Sequence, residues 1–327
     1  VVTAGAQEAI MLTMLGMCAP GDDVLITSPR FTSYDTAVRL CGGNPIPVPT
    51  FEHDDFALDV EEIEKRITPR TRMFVLVSPN NPTGAVTPPD KIRAIAQMAI
   101  RHDLIIVADE IYGRMIYEPN EHLSIATLPG MRERTITLNG FSKTYSMTGW
   151  RVGYLAAPKD LVHMLTEPRH TLSINACTIS QHAALAALTG PQEPIDAMIG
   201  EYAKRRAWLM PALDDIGFTY GHPGGAFYIY TNVSSSGLPS PDFCLQLLQD
   251  TGVMLFPGTM FGDESTDYIR ISYLQPLPMI QEAVDRISSF SSRAQAEAER
   301  ARLCVYVYVA RSVVELGLED GGEGGRE

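Results

Sequence analysis

Over its first half this chain repeats one pattern. A short apolar run is followed by a stretch with apolar residues at helical spacing, and then by another apolar run. Runs such as MFVLVS and LIIVA show almost no polar alternation, so strands formed from them are buried on both faces. That is the mark of a parallel sheet covered by helices on each side. The pattern predicts strands at Val24–Ser28, Met73–Ser78, Leu104–Ala108, Thr135–Leu138 and Val152–Ala156. Helices are predicted at Ala6–Met17, Thr32–Leu40, Val60–Ile67 and Asp90–His102, with Gly42-Gly43 as a stop signal and Pro88-Pro89 as a start. Ligands of such sheets collect at the carboxyl ends of the strands, and the chemically interesting residues stand there.

From about residue 158 the pattern changes. Lys159–Thr166, Cys177–Leu188 and Asp196–Ile216 read as helices, the last long enough to bridge two domains. GGAFYIYTNV and YIRISYL read as strands around a helix at Asp242–Thr251. With 327 residues, 45% of them hydrophobic, the chain can fill a large α/β domain and a smaller α+β one. The expected division is 1–205 for the large domain, 206–290 for the small one and 291–327 for an atypical tail. Within the tail, SSRAQAEAERARL reads as a polar helix, VYVYVA as a short β-prone run and GLEDGGEGGRE as a disordered acidic end.

The formal net charge of -13 argues against a nucleic-acid surface, which needs clustered Lys and Arg. No run of eighteen apolar residues is present, so no membrane span is expected. Five scattered cysteines without a CxxC pair suit a reducing compartment, and the seven histidines show no metal-ligand spacing. The opening VVTAGAQEAI reads as a strand end running straight into a helix. An N-terminal piece is therefore expected before it, and with it any targeting signal; the cytoplasm is the expected location otherwise.

Asp109 follows LIIVA, which sets a carboxylate at a strand's carboxyl end; a helix N-cap is the competing reading. Tyr112 lies three residues on. SPNNPTG at 78–84 follows another apolar strand and brings Asn80 and Asn81 to the same sheet edge, although a plain loop accounts for the same residues. Lys143 follows TITLN, with Arg151 eight residues further. A lone lysine is ordinarily a solvated charge. One set between apolar strands near a second cation has a depressed pKa and serves as an amine nucleophile. Ser142, Arg151 and the glycine turn of TAGAQEAI before a helix are all suited to a phosphate. Together they offer an amine for an aldehyde, a carboxylate for a pyridinium nitrogen, an amide and a phenol for a ring hydroxyl, and donors for a phosphate. Pyridoxal 5'-phosphate (PLP) asks for that set.

NPTG at 81–84, DEIY at 109–112 and SKTYSMTGWRVGY at 142–154 resemble the class I/II aminotransferases, PLP enzymes of fold type I. ERTITLNGFSKTYSMTGWRVGYLAAP and ITPRTR at 67–72 are most similar to their aspartate and aromatic aminotransferase branch. The likeness runs from about residue 1 to about 290, with the motifs in the family's order. It implies a three-layer α/β large domain with a mainly parallel central sheet, and a smaller C-terminal α+β domain. It implies that Lys143 holds PLP as a Schiff base and later shuttles the proton, that Asp109 pairs with the ring nitrogen, and that Asn81 and Tyr112 hydrogen-bond the ring 3-oxygen. Phe31 matches the aromatic that stacks on the ring, and Ala6, Gln7, Ser142 and Arg151 match the phosphate site. Arg270, a solvated edge-strand charge on its own showing, matches the arginine that forks onto the substrate α-carboxylate, where Asn81 also belongs; Asn175 is placed near the substrate. The implied function is ping-pong transamination from an L-amino acid to a 2-oxoacid by a homodimer. A C–S β-lyase or an aminocyclopropane-carboxylate synthase-like enzyme shares these residues and stays open, as does a catalytically impaired truncated homologue.

The chain departs from the family at three places. Gly140 stands where many relatives have a serine that reaches the phosphate, so one phosphate contact is expected to be absent. Arg30, where relatives carry an aromatic or small residue, is either an exposed charge or a contact to an acidic substrate. Before TAGAQEA, relatives carry an N-terminal arm, a glycine-containing loop and a tyrosine that reaches the neighbouring subunit's phosphate.

Overall fold

The structure, a computed structural model, describes residues 1–263 and 265–316, with side chains to residue 296. The chain enters through β1 (Val2–Thr3) and α1 (Ala6–Met17). It then forms β2 (Asp23–Ser28), α2 (Ser33–Leu40), β3 (Asn44–Pro49), α3 (Val60–Glu64), β4 (Thr71–Val77), α4 (Pro89–Arg101), β5 (Ile105–Asp109), β6 (Thr135–Gly140) and β7 (Gly153–Ala156). These seven strands make one sheet in the order β1-β7-β6-β5-β4-β2-β3. The pairs from β6 through to β3 are parallel, and β7 runs antiparallel to both its neighbours.

The lack of polar alternation has a direct cause. Along β2 and β4, Val24, Ile26, Met73 and Val75 enter one core with α1 and α2, while Leu25, Phe74 and Leu76 enter another with α3 and α4. Each fully buried side chain of this kind contributes about 1.5–3 kcal/mol, so both faces of the sheet are held. Every predicted strand and helix of this half is present, with ends moved by no more than three residues, as termini commonly are. One strand was not predicted: β3, NPIPVP, whose prolines disguise it.

The second half contains α5 (Lys159–Leu172), α6 (Thr178–Thr189), α7 (Glu193–Ile216), β8 (Thr219–Tyr220), β9 (Tyr228–Asn232), α8 (Ser240–Thr251), β10 (Phe256–Pro257), β11 (Tyr268–Ser272) and α9 (Leu277–Leu316). An antiparallel sheet, β10-β11-β9-β8, packs with α7, α8 and α9 around Leu209, Leu213, Phe243, Ile269 and Ile287. The same core takes in Ile111, Tyr112 and Met115 from the loop after β5, which ties the two sheets together. Helix α5 runs six residues past its expected end, through Pro168.

The VYVYVA run is corrected by the structure: it lies inside α9, not in a strand. Helix formers precede it, and extending an existing helix is far easier than nucleating a strand without a partner. The acidic end GLEDGGEGGRE lies outside the described residues. No described helix is long and apolar enough to cross a membrane, and no metal-ligand cluster occurs among the described residues. Cys18, Cys41, Cys177 and Cys244 are free thiols.

Candidate active site

Four parallel strands, β2, β4, β5 and β6, end on the same edge of the large sheet. The end of β5 delivers Asp109, and the loops leaving β2, β4 and β6 deliver Phe31, Asn81, Ser142 and Lys143, to one cavity of about 390 Å³. Helix α1 adds Ala6, Gln7 and Ile10, the loop after Lys143 adds Thr148 and Arg151, and the small sheet adds Tyr228 and Arg270. The cavity thus lies where the carboxyl edge of one sheet meets the face of the other, the place such folds reserve for ligands.

Asp109 is the last residue of β5 and is 6% exposed. Burial pushes its carboxyl up from the usual range, while two donors pull the other way: Tyr34 Oη at 2.6 Å and the Ile111 amide at 3.0 Å. The Tyr34 phenol is itself raised well above its ordinary value by burial and by that carboxylate, so it stays a donor. Lys143 Nζ stands 5.6 Å from the centre of the Phe227 ring and 6.0 Å from that of Tyr112. Burial, then the charges of Arg270 and Arg151, lower its pKa, which favours the neutral amine. Tyr112 Oη lies 3.1 Å from Tyr228 Oη.

Arg270 is boxed by three rings, with its guanidinium carbon 4.5 Å from the Tyr228 centroid, 4.6 Å from Phe261 and 4.8 Å from Phe256. Its Nη1 donates to Asn81 Oδ1 at 2.9 Å, and its Nε is buried without a partner. A guanidinium held among rings at the cavity wall, with its Nη1 tied to Asn81, is prepared for an anion.

Opposite, Gly5 has φ +86° and a Cβ there would meet Arg151 Nη2 at 2.6 Å. The glycine lets the arginine close on the first turn of α1, where Nη2 donates to Ala4 O at 3.4 Å and Nη1 to Thr148 O at 2.9 Å. Free amides of that turn and a guanidinium then face one spot, an anion cradle.

Asn175 is not brought in. It is exposed, outside the cavity wall, and its side-chain amide donates to the Ala176 carbonyl. Arg30 is neither an exposed charge nor a cavity residue: it is 13% exposed and grips both Asp35 oxygens at 2.7 and 2.8 Å. Tyr34 and Tyr228 were missed by sequence reasoning. Tyr34 follows Phe31 by three residues, a spacing that puts it one turn along the same loop and helix; Tyr228 ends the GGAFY run and carried no polar signal.

A model of the family described as aminotransferase class I and II matches residues 1–287. An aromatic-amino-acid aminotransferase 2 of Thermococcus litoralis is 40% identical over 288 residues, covering 88% of this chain and 74% of the relative. An aspartate aminotransferase of Pyrococcus abyssi is 39% identical with the same coverage. Among solved structures, an aromatic aminotransferase from Pyrococcus horikoshii matches with a TM-score of 0.87 and 39% identity, over 90% of this chain and 79% of that one. An aspartate aminotransferase from Thermus thermophilus with maleate matches at 0.84 and 35%, over 89% and 75%.

Proposed function

The chain belongs to the aminotransferase class I and II family, and we propose that it moves the amino group of an L-amino acid to a 2-oxoacid with PLP held around Lys143. Three features of the cavity suit that cofactor. The buried carboxylate of Asp109 has room for a cationic partner, the α1–Arg151 cradle suits a phosphate, and an amine of lowered pKa stands between them. The fold is the α/β type I arrangement of the solved relatives.

In this reading Asp109 holds a negative charge against the ring nitrogen, and Tyr34 keeps that carboxylate in place. Phe31 covers the ring, with Asn81 and Tyr112 at its 3-oxygen. Ser142, Arg151 and the amides of Ala6 and Gln7 receive the phosphate. When bound, the cofactor supplies an electron sink for the pair left at the substrate Cα. Lys143 takes and returns the proton at Nζ, a role that needs the neutral amine that burial and two nearby guanidiniums favour. Arg270 grips the α-carboxylate, held in register by Asn81 Oδ1 and three rings. The reading divides the chain into 1–205, 206–290 and a tail, and takes the working unit as a homodimer.

The observation that carries it is the Lys143 amine, depressed in pKa and set in one cavity with buried Asp109 and half-satisfied Arg270. Purified protein with added PLP should show the visible absorbance of protein-bound cofactor, and an amino-acid donor should change it. Lys143→Ala should lose that absorbance and at least about 10⁴-fold in rate. Parent protein that takes up no PLP would end the proposal.

A further inference from the structure

We infer that Tyr228 is a positioning residue that serves cofactor and substrate at once; the inference rests on the transamination reading above. Its hydroxyl steers the Tyr112 proton toward the ring 3-oxygen, and its ring seats Arg270 for the carboxylate. Strand register puts it there. Tyr228 opens β9, and where β9 pairs with β11, Arg270 stands opposite Tyr230 and Ser272 opposite Tyr228. Tyr228 and Arg270 are therefore diagonal neighbours on one face of the small sheet, within reach of each other's long side chains. Just before the Phe227-Tyr228 pair, Ala226 has φ +56°, and the Tyr117 and Tyr273 hydroxyls both donate to its carbonyl, at 2.6 and 3.2 Å. That strained turn aims Phe227 toward Lys143 Nζ, at 5.6 Å, and Tyr228 toward Tyr112 and Arg270.

The hydroxyl's part follows from counting protons. Tyr112 Oη and Tyr228 Oη lie 3.1 Å apart, both residues are buried, and the Tyr228 hydroxyl has no other partner among the described residues. Each phenol has one hydrogen to give. Tyr112 cannot give its own to the 3-oxygen and to Tyr228 together. Once the cofactor takes the Tyr112 hydrogen, the pair stays bonded only with Tyr228 as donor. Burial raises both phenols above their ordinary value, so each keeps a proton to donate. Donation from Tyr228 polarises the Tyr112 hydroxyl and strengthens its bond to the 3-oxygen. That bond stabilises the negative oxygen left when a proton held between Lys143 Nζ and the 3-oxygen departs. The ring's part is simpler. Tyr228 is one of three rings around the guanidinium, 4.5 Å from it, a contact that a phenyl ring would keep.

The two parts separate by substitution in cofactor-loaded protein. Tyr228→Phe removes the hydroxyl and keeps the ring, whereas Tyr228→Leu removes both. The first readout is the pH midpoint of the visible cofactor band. It should rise by about half a pH unit or more in both variants, because the negative oxygen has lost support. In a Tyr112→Phe background, Tyr228→Phe should move it no further. The second readout is calorimetry with whichever of succinate and 3-phenylpropionate the parent binds more tightly. Tyr228→Phe should keep that affinity within about twofold, and Tyr228→Leu should lose about tenfold. An unchanged midpoint in Tyr228→Phe, or a shift that persists without the Tyr112 hydroxyl, would overturn the proton steering and the inference with it. Unchanged carboxylate affinity in Tyr228→Leu, or a parent that binds neither acid, would overturn the seating of Arg270. Parent protein that takes up no PLP would instead end the transamination reading, and this inference along with it.

Discussion

Burial raises the Asp109 carboxyl; the Tyr34 phenol and the Ile111 amide, with the more distant Lys143 charge, oppose that rise. The amide is fixed by the backbone, so Tyr34 is the part that mutation can remove. Tyr34→Phe deletes one hydrogen bond to the charged form, which shifts the carboxyl further up and shrinks the ionised fraction at any given pH. A hydrogen bond to a charged group is worth about 1.5–3 kcal/mol, so PLP affinity at neutral pH should fall roughly tenfold or more. The sign fixes the pH dependence: the deficit should deepen as pH falls, because Asp109 then takes up its proton sooner than in the parent. Equal loss at every pH would mean that Tyr34 acts by packing alone. At this scale the sequence shows Asp109, Lys143 and Asn81 because each sits at the end of an apolar strand. Tyr34 hides among ordinary core aromatics, and Arg270 stands on an antiparallel strand where nothing local marks it. Asn175 was drawn toward the site by likeness, and the turn before α6 points it to solvent.

Among the elements, what the sequence concealed follows from how strands use their donors. Pro45, Pro47 and Pro49 alternate along β3, so the missing N–H groups all fall on one side. β3 is the outermost strand of its sheet, and the side without donors is the open one, where prolines are tolerated. Reading prolines as breakers removes this strand; reading their spacing restores it. Helix α1 was legible end to end, yet its function depends on Gly5 before it. Gly5→Ala meets two penalties: backbone strain of about 1–3 kcal/mol at φ +86°, ψ 169°, a region essentially confined to glycine, and a Cβ placed on Arg151 Nη2. The guanidinium is the softer partner and will swing away, opening the anion cradle. Affinity for PLP should drop about tenfold, with a similar drop for inorganic phosphate; Arg151→Ala made in the Gly5→Ala background should add little. Losses that add in full would show that the two residues act separately.

For the whole molecule the informative feature is apolar surface left in water. Leu172, Ile174, Ile179, Leu185 and Leu188, on α5, α6 and the turn between them, are 53–72% exposed. Scattered exposed leucines mean little, but a concentration on one flank marks an interface. Helix α6, TISQHAALAALT, is apolar around most of its circumference, and nothing local tells whether the chain's own sheet or a second copy will cover it. Helix α6 does cover the site's own loop, since Ala184 and Ala187 pack on Phe141, Met147 and Val152. A second copy seated on this flank would therefore brace the loop that carries Lys143 and Arg151. Full burial of such side chains is worth about 1.5–3 kcal/mol each; five of them match the roughly 4–15 kcal/mol that association costs. The parent should sediment as a dimer at micromolar concentration, and Ile179→Glu with Leu185→Glu should sediment as a monomer with weakened PLP binding. The double variant should keep its helical circular dichroism, because both side chains already face water. A parent that stays monomeric at every concentration, or a double variant that still dimerises, would take the interface away from this flank.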